Sequence, residues 1–280
     1  MRSEAAYLDV VTTGADRGLV VRLCRHPQEG YAWLWGHVFL DGRVYAFTQH
    51  DVACTAAITP VEGRDATYRS EGGWSSLVIA RDGPLDAIRA ARADGTFAMH
   101  ESRHAPHGPG PIVATIEATF VPSVAAVSNL PGRNEVIGDV RARVSLGRHD
   151  FEMTGRGQFH EQVQSEPRFT TPFVYGTLRG DGCACVFIRL ARGARGHWIE
   201  GGRSHPVARV EISPPGARRA IVLHTSAGLR TGVLETRYDY SVPVAATHRP
   251  GTLVQGEISG RTLSGCVNDF LMDRLEYDRI

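Results

Sequence analysis

Residues 154–173 read TGRGQFHEQVQSEPRFTTPF and concentrate side chains able to move or polarise a proton. His160 and Glu161 are adjacent there, and an imidazole and a carboxyl are the ordinary groups of general acid–base catalysis. In an extended chain neighbours face opposite sides, so only one of the two meets a given cavity. Arg156, Gln158 and Gln162 supply hydrogen-bonding partners close by, and Gly155 and Gly157 around Arg156 permit a bulge or a close backbone approach. The same residue types would equally serve a wet strand bonded to water and loops.

Two other groupings carry chemistry by type and spacing. His100-Glu101-Ser102-Arg103-His104 matches the HExxH pattern of zinc hydrolases, which needs a helix to bring both imidazoles to one face. Gly95 before it and Pro106 after it leave little room for that helix, so a strand followed by a loop is the expectation. In YAWLWGHVFLDG, Tyr31, Trp33 and Trp35 alternate and share one face of a strand, with His37 continuing it. Such a stripe is more often barrel core than ligand wall. In a barrel wide enough for a cavity it would line that cavity.

Composition removes several chemistries. All 31 basic residues are arginine, because the chain of 280 residues contains no lysine. Schiff-base catalysis, lysine-anchored pyridoxal phosphate and a Walker-type phosphate loop are thereby excluded. With 30 acidic residues the formal charge is +1, which gives no footprint for nucleic acid. The five cysteines (24, 54, 183, 185 and 266) form no CxxC pair and read as free thiols of a reducing compartment. The N-terminal segment lacks the apolar run of a signal peptide, and no stretch is long enough to span a bilayer. A cytoplasmic protein with no membrane segment is expected.

The elements that must position these groups are strands. Short alternating runs recur at 19–23, 31–40, 43–48, 75–80, 112–121, 140–146, 174–179, 184–190, 207–212, 221–224, 230–240 and 252–258. Asp41-Gly42, Gly180-Asp181-Gly182 and Gly201-Gly202 interrupt them as hairpin loops do. Pro84 to Ala93 (PLDAIRAARA) predicts a helix, with Gly95 just past its end, and a second short helix is expected from about Asp269 to Tyr277. The pattern divides the chain near residue 150, giving units of 1–150 and 151–280. Many short strands at this spacing predict barrels or sandwiches.

GRNEVIGDVRARVSLGRHDFEMTGRGQFHE, followed by PFVYGTLRGDG, resembles the middle of the hydroxyneurosporene synthase (carotenoid hydratase) and AttH-like superfamily, which also includes fungal Diels-Alderase-type pericyclases. YAWLWGHVFLDGRVYAF looks like the aromatic first-barrel strand of these proteins. The resemblance implies an all-β chain of two lipocalin-like antiparallel barrels in tandem, an apolar cavity and no redox cofactor. In the hydratase branch a His-Asp pair and then Trp-Gly follow the G-x-G. Here His160 takes the aspartate's place counted from the glycines, and Glu161 takes it after a slip of one residue.

The implied activity is that of a cofactor-independent hydratase, double-bond isomerase or cyclase acting on a hydrophobic isoprenoid, polyene or polyketide-like molecule. His160 or Glu161 would be the acid/base group. Arg156, Gln158, Gln162 and Tyr175 would position or polarise the substrate, and Trp33, Trp35 and His37 would line the cavity. A non-catalytic carrier of an apolar ligand is the alternative, and a zinc hydrolase through His100 and His104 a third.

Overall fold

A computed structural model describes residues 2–54, 65–72, 75–84, 87–101, 111–124, 127–130, 132–165, 168–244 and 247–270. The chain divides into two compact units, Met1–Thr12 with Arg17–Pro167, and Arg168–Ile280 with Thr13–Asp16.

The first unit contains β1 (Ser3–Val11), β2 (Arg17–His26), β3 (Tyr31–Leu40), β4 (Arg43–Ala53), β5 (Ala66–Gly72), β6 (Ser75–Asp82), β7 (Ala90–Glu101), β8 (Ile112–Pro122), β9 (Val127–Leu130), β10 (Arg133–Leu146) and β11 (His149–Gln164). Their order in the sheet is β4-β3-β2-β1-β11-β10-β8-β7-β6-β5, with β9 on β10. A short pairing of β4 with β7, Tyr45 opposite Glu101 and Ala46 opposite His100, joins the ends of an eight-strand path. The β5–β6 hairpin continues beyond β7. The second unit is a closed barrel of β12 (Phe173–Gly180), β13 (Cys183–Leu190), β14 (Gly193–Glu200), β15 (Arg203–Ile212), β16 (Arg218–Thr225), β17 (Gly228–Val244), β18 (Thr247–Ile258) and β19 (Arg261–Phe270). The architecture is thus all-β, with two sheets consistent with tandem lipocalin-like barrels.

Strand chemistry explains both the ladders and their faces. In β8, Ala114, Ile116, Ala118 and Phe120 point to the core while Val113, Glu117 and Val121 are exposed, the period-two pattern of a sheet wetted on one side. β1 (SEAAYLDVV) is buried at all nine positions, so here both faces of the sheet are covered. At Asp41-Gly42 both residues have positive φ, 50° and 77°, the geometry of the tight hairpin turn that matches strand twist.

Three expectations change. Among the described residues there is no helix. Ala90–Ala93, read as the end of a helix, open β7, where Ala91 and Ala93 pair across to β6 and β8 and face the core. Packing overrides the helix propensity of alanine when a ladder needs small inward residues. Asp269 and Phe270 end β19, and the rest of the second expected helix lies outside the described residues. Lastly, β11 pairs with β1 and β10, so the polar strand belongs to the first unit rather than opening the second. No helix among the described residues is long and apolar enough to cross a membrane.

Candidate functional site

The polar strand lies at the centre of the first sheet, and its register decides what each residue meets. Tyr7 of β1, His160 of β11 and Glu135 of β10 lie side by side, as do Ala5, Gln162 and Arg133, and Asp9, Gln158 and Ile137. Alternation then sorts the side chains. Phe159 and Glu161 share the face of the apolar core with Leu8 and Val136. Arg156, Gln158, His160 and Gln162 occupy the opposite face with Tyr7, Asp9, Arg133 and Glu135.

Gly157 lets the strands come this close. A Cβ there would run into the Asp9 carbonyl oxygen and the Val140 side chain. The registers on both sides of β11 are continuous, so the glycines serve close packing and not a bulge.

On the polar face the groups are buried and mutually bonded. Tyr7 donates its hydroxyl to Asp9 Oδ2 at 2.8 Å, and Asp9 Oδ1 accepts the Gln158 backbone N–H at 2.8 Å. The Tyr7 and His160 rings are stacked, with centroids 4.5 Å apart and planes 9° from parallel. Arg133 donates Nε to Glu135 Oε1 at 2.7 Å, Nη1 to Gln162 Oε1 at 3.3 Å, and approaches His160 Nδ1 through Nη2 at 3.4 Å. Gln162 donates in turn to Gln164 at 2.7 Å. Asp9 and Glu135 are fully buried, so each carboxylate depends on charge-assisted donors to offset its lost hydration.

The aromatic stripe continues this face across β2 and β3. Trp35 lies opposite Arg22, which itself lies opposite Tyr7. The Arg22 guanidinium stands 4.9 Å over the Trp35 ring, a cation–π contact. Trp33 and Trp35 stack at 6.2 Å, Trp33 packs on His26, and the Trp35 indole donates to His50 Nε2 at 3.2 Å. His37 stacks on Phe39. The reading of the stripe as barrel core is corrected: Ala32, Leu34, Val38 and Leu40 of β3 fill the core, and the large rings point the other way.

Glu161 has a different neighbourhood. It accepts Arg81 Nε of β6 at 2.6 Å, and Arg81 also donates to the Gly83 carbonyl. Glu161 and Arg81 are almost fully buried. Burial pushes the Glu161 carboxyl above the usual carboxylate range, and Arg81 opposes that rise. Tyr68 of β5 lies near enough to interact with Glu161, and burial raises its phenol strongly. A second buried pair, Arg25 with Glu4 at 3.4 Å, shares this face of the sheet.

The remaining expected residues are dispersed. Arg156 sits at the margin of the polar face, bonded to Asp139 at 2.6 Å and to Ser123 at 3.2 Å. Tyr175 belongs to the second unit, where Val174 and Leu178 point into that barrel's core and Tyr175 does not. His100 and Glu101 are consecutive residues of β7, so the helix required for HExxH zinc chemistry is absent where the motif begins; His104 lies outside the described residues. Among the described residues no three metal-ligating side chains cluster. None of the five cysteines is disulfide-bonded, and burial pushes the Cys183 thiol up to about 12.

Tyr7, Asp9, Arg22, Arg133 and Glu135 escaped the sequence reading. The signal was present in part, since Glu4 and Asp9 interrupt an otherwise apolar run, but only strand pairing brings that run beside His160.

No protein-family model and no curated protein matches the sequence. Among solved structures the chain is similar to CghA, with a TM-score of 0.62 and 10% identity over 96% of this chain and 87% of that one. CghA with Sch210972 gives 0.61 at 8% identity, with the same coverage. Kievitone hydratase from Nectria haematococca gives 0.58 at 10% identity over 95% and 88% of the two chains. These likenesses define the class of fold, a tandem lipocalin-like chain matched along nearly its whole length. At such identities they define the fold alone.

Proposed function

We propose that this chain is a cofactor-independent lyase or isomerase, of the hydratase, double-bond isomerase or cyclase kind, acting on a hydrophobic small molecule. The observation that carries the reading is the buried Tyr7–Asp9, His160 and Arg133–Glu135 network, which continues on one sheet face into the Trp33–Trp35 stripe. A stripe of flat rings holds an apolar substrate by stacking, and an acid beside it protonates or polarises a double bond. In a dry setting one positioned donor is worth far more than in water. His160 is assigned as the acid/base group. Glu161, on the other face and bound to Arg81, is assigned to structure. One of the structures sharing the fold is by name a hydratase, which agrees with this class. The implied substrate is an isoprenoid, polyene or polyketide-like molecule.

The test is incubation with a panel of conjugated polyenes and prenylated phenols, followed by liquid chromatography and mass spectrometry. Gain of one water, or a new isomer of unchanged mass, is expected for the wild type and is lost in His160→Gln. Tight binding without conversion of any compound would identify a carrier instead.

A further inference from the structure

We propose that the tip of the β13–β14 hairpin docks the protein reversibly on an anionic lipid surface, through Arg189, Arg192 and Arg195. The docking goes beyond the catalytic reading and does not depend on it.

Residues 189–195 read RLARGAR, and no acidic residue occurs between Asp181 and Glu200. Register gathers the three guanidiniums at one end of the second barrel. Arg195 lies opposite Ile188, Ala194 opposite Arg189 and Gly193 opposite Leu190, with Arg192 in the turn. Arg192 and Arg195 are exposed and Arg189 is half-buried. Glu200, the nearer of the two flanking acids, is five strand residues from Arg195, about 17 Å, or twice the screening length of about 8 Å in physiological salt.

The carboxylates on neighbouring strands are already engaged. Asp269 shares a row with Val174 and Arg189, but it takes both guanidinium nitrogens of Arg219 at 2.8 and 2.9 Å. Glu211 of β15 binds Arg209 and His224. Among the described residues none of the three tip arginines has an ion pair. Exposed arginines elsewhere do, as Arg92 with Asp94 and both Arg141 and Arg143 with Glu152. The charge is also unevenly shared between the units: fifteen arginines face eleven acidic residues in the second, sixteen face nineteen in the first. The tip is therefore a local cation on a chain of formal charge +1.

The arrangement favours a surface over a single small anion. Arg189 follows Cys185 and Phe187 on the core side of β13, whereas Arg195 lies on the outer side of β14. They flank the tip from both faces, as suits a hairpin dipping among many headgroups. Guanidinium matches phosphate by paired N–H donors, and its stem lies along apolar chains while the charge stays at the headgroups. Leu190 at the tip and Phe173 opposite it are half-buried, and Phe173 packs with Phe169 and Phe270 at the same end. Apolar groups among the arginines gain from the lipid boundary, where a nucleic acid would demand a longer basic track.

The test is flotation of the full chain with phosphatidylcholine vesicles, with and without about 30 mol% phosphatidylglycerol, at about 0.1 M salt. Each arginine near such a surface is worth about fivefold in partitioning, so Arg189→Gln/Arg192→Gln/Arg195→Gln is expected to weaken binding to the anionic vesicles on the order of a hundredfold. Removing three paired arginines instead, Arg92→Gln/Arg141→Gln/Arg143→Gln, takes the same net charge from the chain and is expected to change binding less than about threefold. Wild-type binding is expected to fall away at about 0.5 M salt. Equal partitioning to neutral vesicles, equal losses in the two triple variants, or binding that survives high salt overturns the proposal. So does a chain that ignores the anionic vesicles, whether or not it binds a labelled DNA duplex.

Discussion

Replacing Arg81 by methionine removes the ion pair that ties the β5–β6 hairpin to the polar strand, together with the Arg81 bond to the Gly83 carbonyl. Methionine keeps most of the stem volume and removes the charge, leaving Glu161 buried without the donor now 2.6 Å from it. Breaking a buried pair by deleting one partner costs about 3–5 kcal/mol, because the orphaned charge keeps its desolvation penalty. Both side chains are at most 2% exposed, so no solvent discount applies. Protonation of Glu161 caps the loss, and this fixes the pH dependence. The carboxyl is already raised by burial against the opposing effect of Arg81, and without Arg81 it rises further.

A carboxyl that binds its proton more tightly folded than unfolded contributes stability that is present in acid and lost as pH climbs from the unfolded to the folded pKa. The wild type should therefore lose some stability on going from acid to neutral pH, and Arg81→Met should lose more. Urea unfolding followed by tryptophan fluorescence, at pH 4.5 and pH 7.5, measures both. The expected gap between the proteins is about 3 kcal/mol at neutral pH and smaller in acid. A gap under about 1 kcal/mol at neutral pH, or one that does not change with pH, would refute the argument.

Gly157→Ala should destabilise the first unit by about 2 kcal/mol or more, since the new methyl meets the Asp9 carbonyl and Val140; an unchanged midpoint in thermal unfolding would show that β1 and β11 can part without cost. In native protein Cys183 and Cys185 should resist a thiol reagent at pH 8, because burial raises both thiols and hides them, while all five cysteines react in guanidinium. Rapid native labelling of either one would contradict the closed barrel that buries it.

Much of the fold was legible because strand formation is local. The run from Tyr31 to Leu40 ends where its alternation ends, at a turn that Asp41-Gly42 specifies by backbone preference. β8 shows its solvent and core faces directly in IVATIEATFVP. Where the local signal misled, as at Ala90–Ala93, alanine carried a helical preference that a two-sided ladder outweighed. β1 was harder to see because it is buried on both faces and therefore does not alternate in polarity.

The candidate site shows the same division more sharply. Sequence alone placed His160 and Glu161 on opposite faces of an extended chain, since side-chain direction in a strand reverses at every residue. It also marked the Trp33–Trp35 stripe as a single surface and removed lysine chemistry outright. Which face held the core, which residue of the pair met Arg81, and which met Tyr7 and Arg133 were decided only by tertiary pairing. Asp9 and Gln158 are 149 positions apart in the chain yet share a hydrogen bond. No local pattern encodes such a partner, because register between distant strands is set by the burial of whole faces at once.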